Sequence, residues 1–210
     1  MRLRKIFLCL AGTVLATSVA NASIKQRAPV SSLLEQRHKN VVIQDWDLSC
    51  GAAALTTLLR YQHGIDVTEK EVALAMIGRP EYVANPELIR LRQGFSLLDL
   101  KLFADSTGLV GNGFGGLDYD DLLLMAPVLV PVNFGDYNHF VVFRGAAGNR
   151  VLLADPAWGN RTMSKEEFLY SWFEIGGLGR VGFTVETSQP GTSTSENLLA
   201  PKSMDFVMIR

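Results

Sequence analysis

Helix-start signatures crowd the first half of this chain and short β-branched runs its second half, and that segregation limits the possible folds more than any other feature. Ser49 stands as an N-cap before residues 50–62, which run through Ala and Leu to a stop at His63-Gly64. Thr68 and Glu71 make a capping box for a second helix through about Ile77, and Ser96 with Asp99 opens a third that ends by Gly108. Residues 118–125 predict a shorter helix. Beyond them, residues 128–133, 139–144 and 151–155 read as strands, the last two joined by Gly145-Ala146-Ala147-Gly148-Asn149. Pro127 and Pro131 suggest a sheet edge or a strand start for the first of these. A helix over 164–173 and a strand over 181–185 follow. Helices first and antiparallel strands after them define an α+β fold, with N-terminal helices packed on a C-terminal antiparallel sheet.

The 210 residues suffice for one domain, expected over residues 41–186. Residues 23–40 read as a flexible lead-in and residues 187–210 as a polar tail, in which 204–209 alternate weakly and predict an edge strand. The start of the chain has the pattern of a secretory signal. Arg2, Arg4 and Lys5 precede an apolar run over 6–19, and Ala20-Asn21-Ala22 supplies small residues for cleavage before Ser23. The run is short for a membrane span, and no later segment is long and apolar enough for one. A periplasmic protein with a cleaved signal is expected, a retained anchor being the alternative. Cleavage removes three basic and no acidic side chains, leaving 17 Lys and Arg against 21 Asp and Glu. With no basic stripe, nucleic acid is not expected as a partner.

Two cysteines are present, and Cys9 lies in the signal, so the expected mature chain keeps Cys50 alone and can form no internal disulfide. An unpaired thiol in an oxidising compartment must be buried or have chemistry to perform. Cys50 falls in the first turn of the predicted helix, where free backbone N–H groups and the positive end of the helix dipole favour a thiolate. Gly51 beside it would let a substrate backbone approach. A small buried cysteine on a helix is an equally good account of the local sequence.

A thiol nucleophile needs a proton relay, an orienting group and donors for an oxyanion. His139 opens a predicted strand and fits the first role. Asp155 ends the neighbouring strand, whose end the short connection brings alongside, and fits the second, although Asp-Pro also starts turns. Gln44, six residues before Cys50, can point an amide N–H beside the Cys50 N–H as the third part. The other histidines suit less: His38 lies in the lead-in, and His63 at a helix end, where a cation near the last carbonyls explains it.

Other features carry less. The glycines over 111–116 lack the strand-turn-helix setting of a phosphate loop. Asp118, Asp120 and Asp121 suit a solvated helix start. Widely separated Cys and His give no zinc pattern, and no cofactor is expected. Trp46 and Trp158 flank the proposed site residues and fit either a cleft lining or the core.

Gln44-x5-Cys50-Gly51-Ala52-Ala53, Gly94-Phe95-Ser96-Leu97, Asn138-His139-Phe140-Val141-Val142 and Ala154-Asp155-Pro156, in this order, resemble the double-glycine leader peptidases. These are papain-like cysteine peptidases that mature exported peptides such as bacteriocins. The resemblance covers roughly residues 41–173. It implies Cys50 as nucleophile, His139 as general base, Asp155 as orienting residue and Gln44 as oxyanion donor. Many members are fused to an ATP-driven exporter, whereas this chain is expected to act apart from one, and Ser49 stands where the family often has Asp. It is most similar to stand-alone periplasmic members that accompany functional-amyloid secretion systems of pseudomonads. That implies a protein or peptide substrate, an amyloid subunit or another component of the export pathway, cleaved after small residues such as Gly-Gly. A non-catalytic peptide-binding module of the same fold and a cell-wall peptide amidase are the alternatives.

Overall fold

The computed structural model describes residues 32–135, 137–188, 196–203 and 205–208. The expected signal peptide, Cys9 and the first part of the lead-in lie outside them. Six helices come first: α1 (Leu33–His38), α2 (Cys50–Tyr61), α3 (Glu69–Ile77), α4 (Pro80–Ala84), α5 (Glu87–Leu91) and α6 (Leu97–Ser106). Then come β1 (Leu109–Phe114), α7 (Tyr119–Met125), β2 (Val128–Asn133), β3 (Asn138–Ala147), β4 (Arg150–Asp155) and β5 (Gly159–Ser164). The chain continues through α8 (Lys165–Ser171), β6 (Glu174–Ile175), β7 (Gly179–Arg180), β8 (Gly182–Thr187) and α9 (Asp205–Met208). Capping pairs Thr68/Glu71 and Ser96/Asp99 start α3 and α6, as the sequence predicts, and a further capping box at Ser164/Glu167 starts α8.

The main sheet has the order β1-β8-β2-β3-β4-β5, every neighbouring pair antiparallel. Helices cover both of its faces rather than one. Leu55, Leu58, Leu59, Val72, Met76 and Leu100 from α2, α3 and α6 pack with Leu129, Val142, Ala154 and Phe183. On the opposite face Leu122, Phe168 and Trp172 join Val130, Val132, Val141, Phe143, Val151 and Leu153. The period-2 alternation of the strands sends successive residues to the two layers, so both parities are apolar. Helix α2 lies in the middle, with every residue from Cys50 to Leu59 buried. Its two polar side chains are satisfied within the helix, Thr56 and Thr57 donating to Ala52 O and Ala53 O at 2.7 and 2.9 Å.

Several expectations are corrected. The lead-in contains α1, capped by Ser32 and held against β5, where Asn160 donates to Lys39 O at 2.6 Å. The glycine-rich stretch forms β1, and within it Gly111 is the position that needs a bare Cα. A Cβ on Gly111 would stand 2.8 Å from Phe183 Cζ and 3.0 Å from Lys101 Cα. Strand β2 is interior, but it meets β8 only at Leu129↔Phe183, so Pro131 stands beyond that pairing. Among the described residues of 204–209, helix α9 (Asp205–Met208) stands where the sequence predicts an edge strand. Nor is the whole tail free of the core. Leu199 is fully buried, Leu198 N donates to Tyr61 O at 2.8 Å, and buried Arg144 donates through Nε to Leu199 O at 2.9 Å.

Candidate active site

Cys50 is the first residue of α2 and is 1% exposed. Ser49 precedes it as expected but makes no side-chain cap to the helix. Its hydroxyl instead contacts Trp46 O at 2.7 Å and the buried Glu69 carboxyl. The first N–H groups of α2 are therefore not taken by an N-cap side chain. Gly51 serves packing rather than substrate approach: a Cβ there would lie 3.3 Å from Phe140 Cδ2 and 3.6 Å from Leu100 Cδ2. That closeness brings the helix start up against the strand that carries His139.

His139 and Asp155 are 3% and 2% exposed. They lie on adjacent strands, β3 and β4, paired through Val142↔Ala154. His139 Nε2 is 2.7 Å from Asp155 Oδ1. A carboxylate partner makes Nε2 the protonated nitrogen, which leaves Nδ1 as the nitrogen that can serve the thiol. Nδ1 is buried and makes no hydrogen bond of good geometry, yet Cys50 is near enough to influence the ring. Such loose contacts are usual before a substrate closes the site.

The electrostatics agree with that placement. Burial works to lower the His139 pKa, but hydrogen bonding to Asp155 and Cys50, with their charges, outweighs it and raises the value to about 9. Burial pushes the Asp155 carboxyl up, while its bond to His139, the imidazolium charge, the Ala157 N–H and Arg161 hold it below the usual carboxylate range. Ala157 N donates to Oδ1 at 2.9 Å, and Arg161 lies 3.3 Å from Oδ2. Asp-Pro does make a turn, and the same turn fixes the carboxylate, with Pro156 O accepting from Gln44 N at 2.8 Å.

Gln44 lies in the segment that leads into α2, six residues before Cys50. Its Nε2 donates to Trp46 O at 2.9 Å, and its buried Oε1 has no partner. Tyr137 ties the halves together. Its hydroxyl donates to Asp47 O at 2.9 Å, and its ring lies 5.6 Å from that of His139. Burial, then the Cys50 charge, raises the Tyr137 pKa, while a hydrogen bond from the Gln44 side chain opposes them. Gln44, Cys50, His139 and Asp155 thus form one connected group.

The thiol opens on a cavity of about 430 Å³ walled by Phe95, Leu97, Phe140, Phe173, Ile175 and Leu178. Trp46 and Trp158 are 46% and 54% exposed, so neither belongs to the core. His38 is exposed. His63 is not a helix-end cation: burial lowers its pKa against a hydrogen bond to Val185 O at 2.9 Å, which ties α2 to β8. Sequence reasoning missed Glu69, Tyr137 and Arg161. Only Tyr137, two residues from His139, stood close enough in the chain to be noticed.

A cysteine at a buried helix start, facing a carboxylate-paired histidine on an antiparallel sheet, marks the thiol-peptidase class, and the chain belongs to the Peptidase C39 family, whose model matches residues 38–176. It is 40% identical over 144 residues to a protein of Pseudomonas fluorescens described as a probable functional amyloid protease, FapD. That match takes in 68% of this chain and 61% of the relative, less than two thirds of its length. A protein of Pseudomonas aeruginosa with the same description is 33% identical over 176 residues, 84% of this chain and 75% of the relative. Among solved structures, a double glycine motif protease from an AMS/PCAT transporter, in complex with the leader peptide, is 25% identical with a TM-score of 0.55. It covers 72% of this chain and 96% of that one. The peptidase domain of Streptococcus ComA shares the fold, with a TM-score of 0.54 over 71% of this chain and 99% of its own.

Proposed function

We propose that the chain is a cysteine endopeptidase that processes a protein of a functional-amyloid export pathway in the periplasm. The observation that carries the chemistry is the 2.7 Å bond of His139 Nε2 to Asp155 beside the thiol of Cys50. The ring beside Cys50 keeps its proton up to about pH 9, ready for the leaving group. The thiolate attacks the scissile carbonyl, and the oxyanion meets the Cys50 N–H and the second hydrogen of the Gln44 amide, which turns to it from Tyr137 while Trp46 O holds the first. His139 passes its Nδ1 proton to the leaving amine, which departs and leaves an acyl thioester. Water, deprotonated by the now neutral ring, then releases the acid and restores the thiol pair. Asp155 stays ionised throughout and orients the ring.

The apolar cavity beside the thiol suits a peptide with apolar side chains near the cut, and the related protease bound to a leader peptide supports a peptide substrate. The two FapD-like relatives support the amyloid pathway. The signal pattern of residues 1–22 supports export. Intact-mass analysis of co-exported amyloid proteins tests the whole reading. Masses shortened with wild type and full-length with Cys50→Ala are expected, and identical masses in both strains would sink it.

A further inference from the structure

Glu69 is buried, 4% exposed, at the first position of α3, and nothing in the reaction above uses it. Its carboxyl faces the segment between Gln44 and Cys50 and grips it at both ends. Asp45 N donates to Oε1 and Oε2 at 3.2 and 3.0 Å, and the Ser49 hydroxyl is bonded to Oε1. Between those ends lies Trp46 O, which receives Ser49 N at 3.2 Å, the Ser49 hydroxyl at 2.7 Å and Gln44 Nε2 at 2.9 Å. An unbroken chain of hydrogen bonds therefore runs from Glu69 through Ser49 and Trp46 to the amide of Gln44. It also accounts for the missing cap on α2, because the Ser49 side chain is turned away from the helix to join it.

We infer that Glu69 is a positioning residue, which holds residues 45–49 and through them the Gln44 amide in register with Cys50. This rests on the peptidase reading. Ser49 has one hydroxyl hydrogen and two acceptors, Trp46 O and the Glu69 carboxyl. Burial, against the bonds from Ser49 and Asp45, holds the Glu69 carboxyl above its ordinary pKa. A glutamine amide reproduces the pattern, accepting from Asp45 N and donating to Ser49, whereas alanine leaves both ends of the segment loose.

The segment serves the oxyanion and not the ionisation of the thiol, so two reactions of one protein separate the effects. Hydrolysis of a Gly-Gly-aminomethylcoumarin peptide develops an oxyanion; alkylation of Cys50 by iodoacetamide does not. Glu69→Ala is expected to lower kcat about tenfold or more with KM within about twofold, the size of losing part of an oxyanion donor. Its alkylation rate should stay within about twofold of wild type, since the Cys50–His139 pair is untouched. Glu69→Gln should recover kcat to within about threefold. Unchanged kcat in Glu69→Ala, or turnover and alkylation falling together, overturns the inference while the peptidase reading stands. A wild type with no Cys50-dependent turnover overturns both.

Discussion

His139 presents Nε2, not Nδ1, to Asp155, at 2.7 Å from Oδ1. The carboxylate thereby decides which edge of the ring meets the thiol, and it holds the ring's proton to about pH 9. Asp155→Asn keeps the shape and removes the charge. We expect kcat/KM to fall by about a hundredfold to ten thousandfold, the upper figure being the loss seen when an orienting carboxylate is neutralised. The alkaline limb of the pH profile should also move below its wild-type position near pH 9. Initial rates of peptide hydrolysis across pH 5–10 read both.

The same proton links stability to pH. The folded-state pKa of His139 is raised from 6.5 to about 9, so its contribution is fully present below pH 6.5 and is lost as pH rises through about 9. A shift of that size is worth on the order of 3 kcal/mol. Urea unfolding at pH 6 and pH 9.5 should show wild type losing that margin relative to His139→Gln, whose side chain does not titrate.

Gly111→Ala places a methyl 3.0 Å from the Lys101 backbone and 2.8 Å from Phe183 Cζ. Helix α6 or strand β1 must move to admit it, which should cost about 1–3 kcal/mol. Thermal unfolding followed by circular dichroism checks the loss. Gly113, whose added Cβ meets nothing within 4 Å, is the control.

Leu199→Ala tests the packing of residues 196–203. The side chain is fully buried among α2 and its neighbours. Its truncation should cost about 2–4 kcal/mol, read as a lower denaturant midpoint with an unchanged slope.

The central chemistry was legible because its parts lie at element ends. A helix start, two adjoining strand ends and a short connection between them determine where Cys50, His139 and Asp155 meet. What stayed hidden depends on contacts that run across the sequence. Ser49 looks like a cap, and only the arrival of Glu69 from twenty residues away turns its hydroxyl elsewhere. Gly111 looks like a loop residue until Phe183 and Lys101 are seen to crowd it. The role of Gly51 likewise depends on Phe140, far along the chain. Residues 204–209 alternate too weakly to choose between strand and helix, and the local capping contact of Lys202 N with Asp205 at 2.9 Å favours the helix.

Helix α2 has consequences for the order in which the chain can be built. Ten consecutive residues of it are buried, yet their partners in β2, β3, β4 and β8, and finally Leu199, are synthesised 70 to 150 positions later, on the order of seconds at ordinary elongation rates. Until they arrive only α3 and α6 are there to cover part of its apolar surface. Contacts of that sequence separation make for slow folding. The nucleophile and its base are likewise made far apart in time, so a partly synthesised chain carries a thiol but no working peptidase.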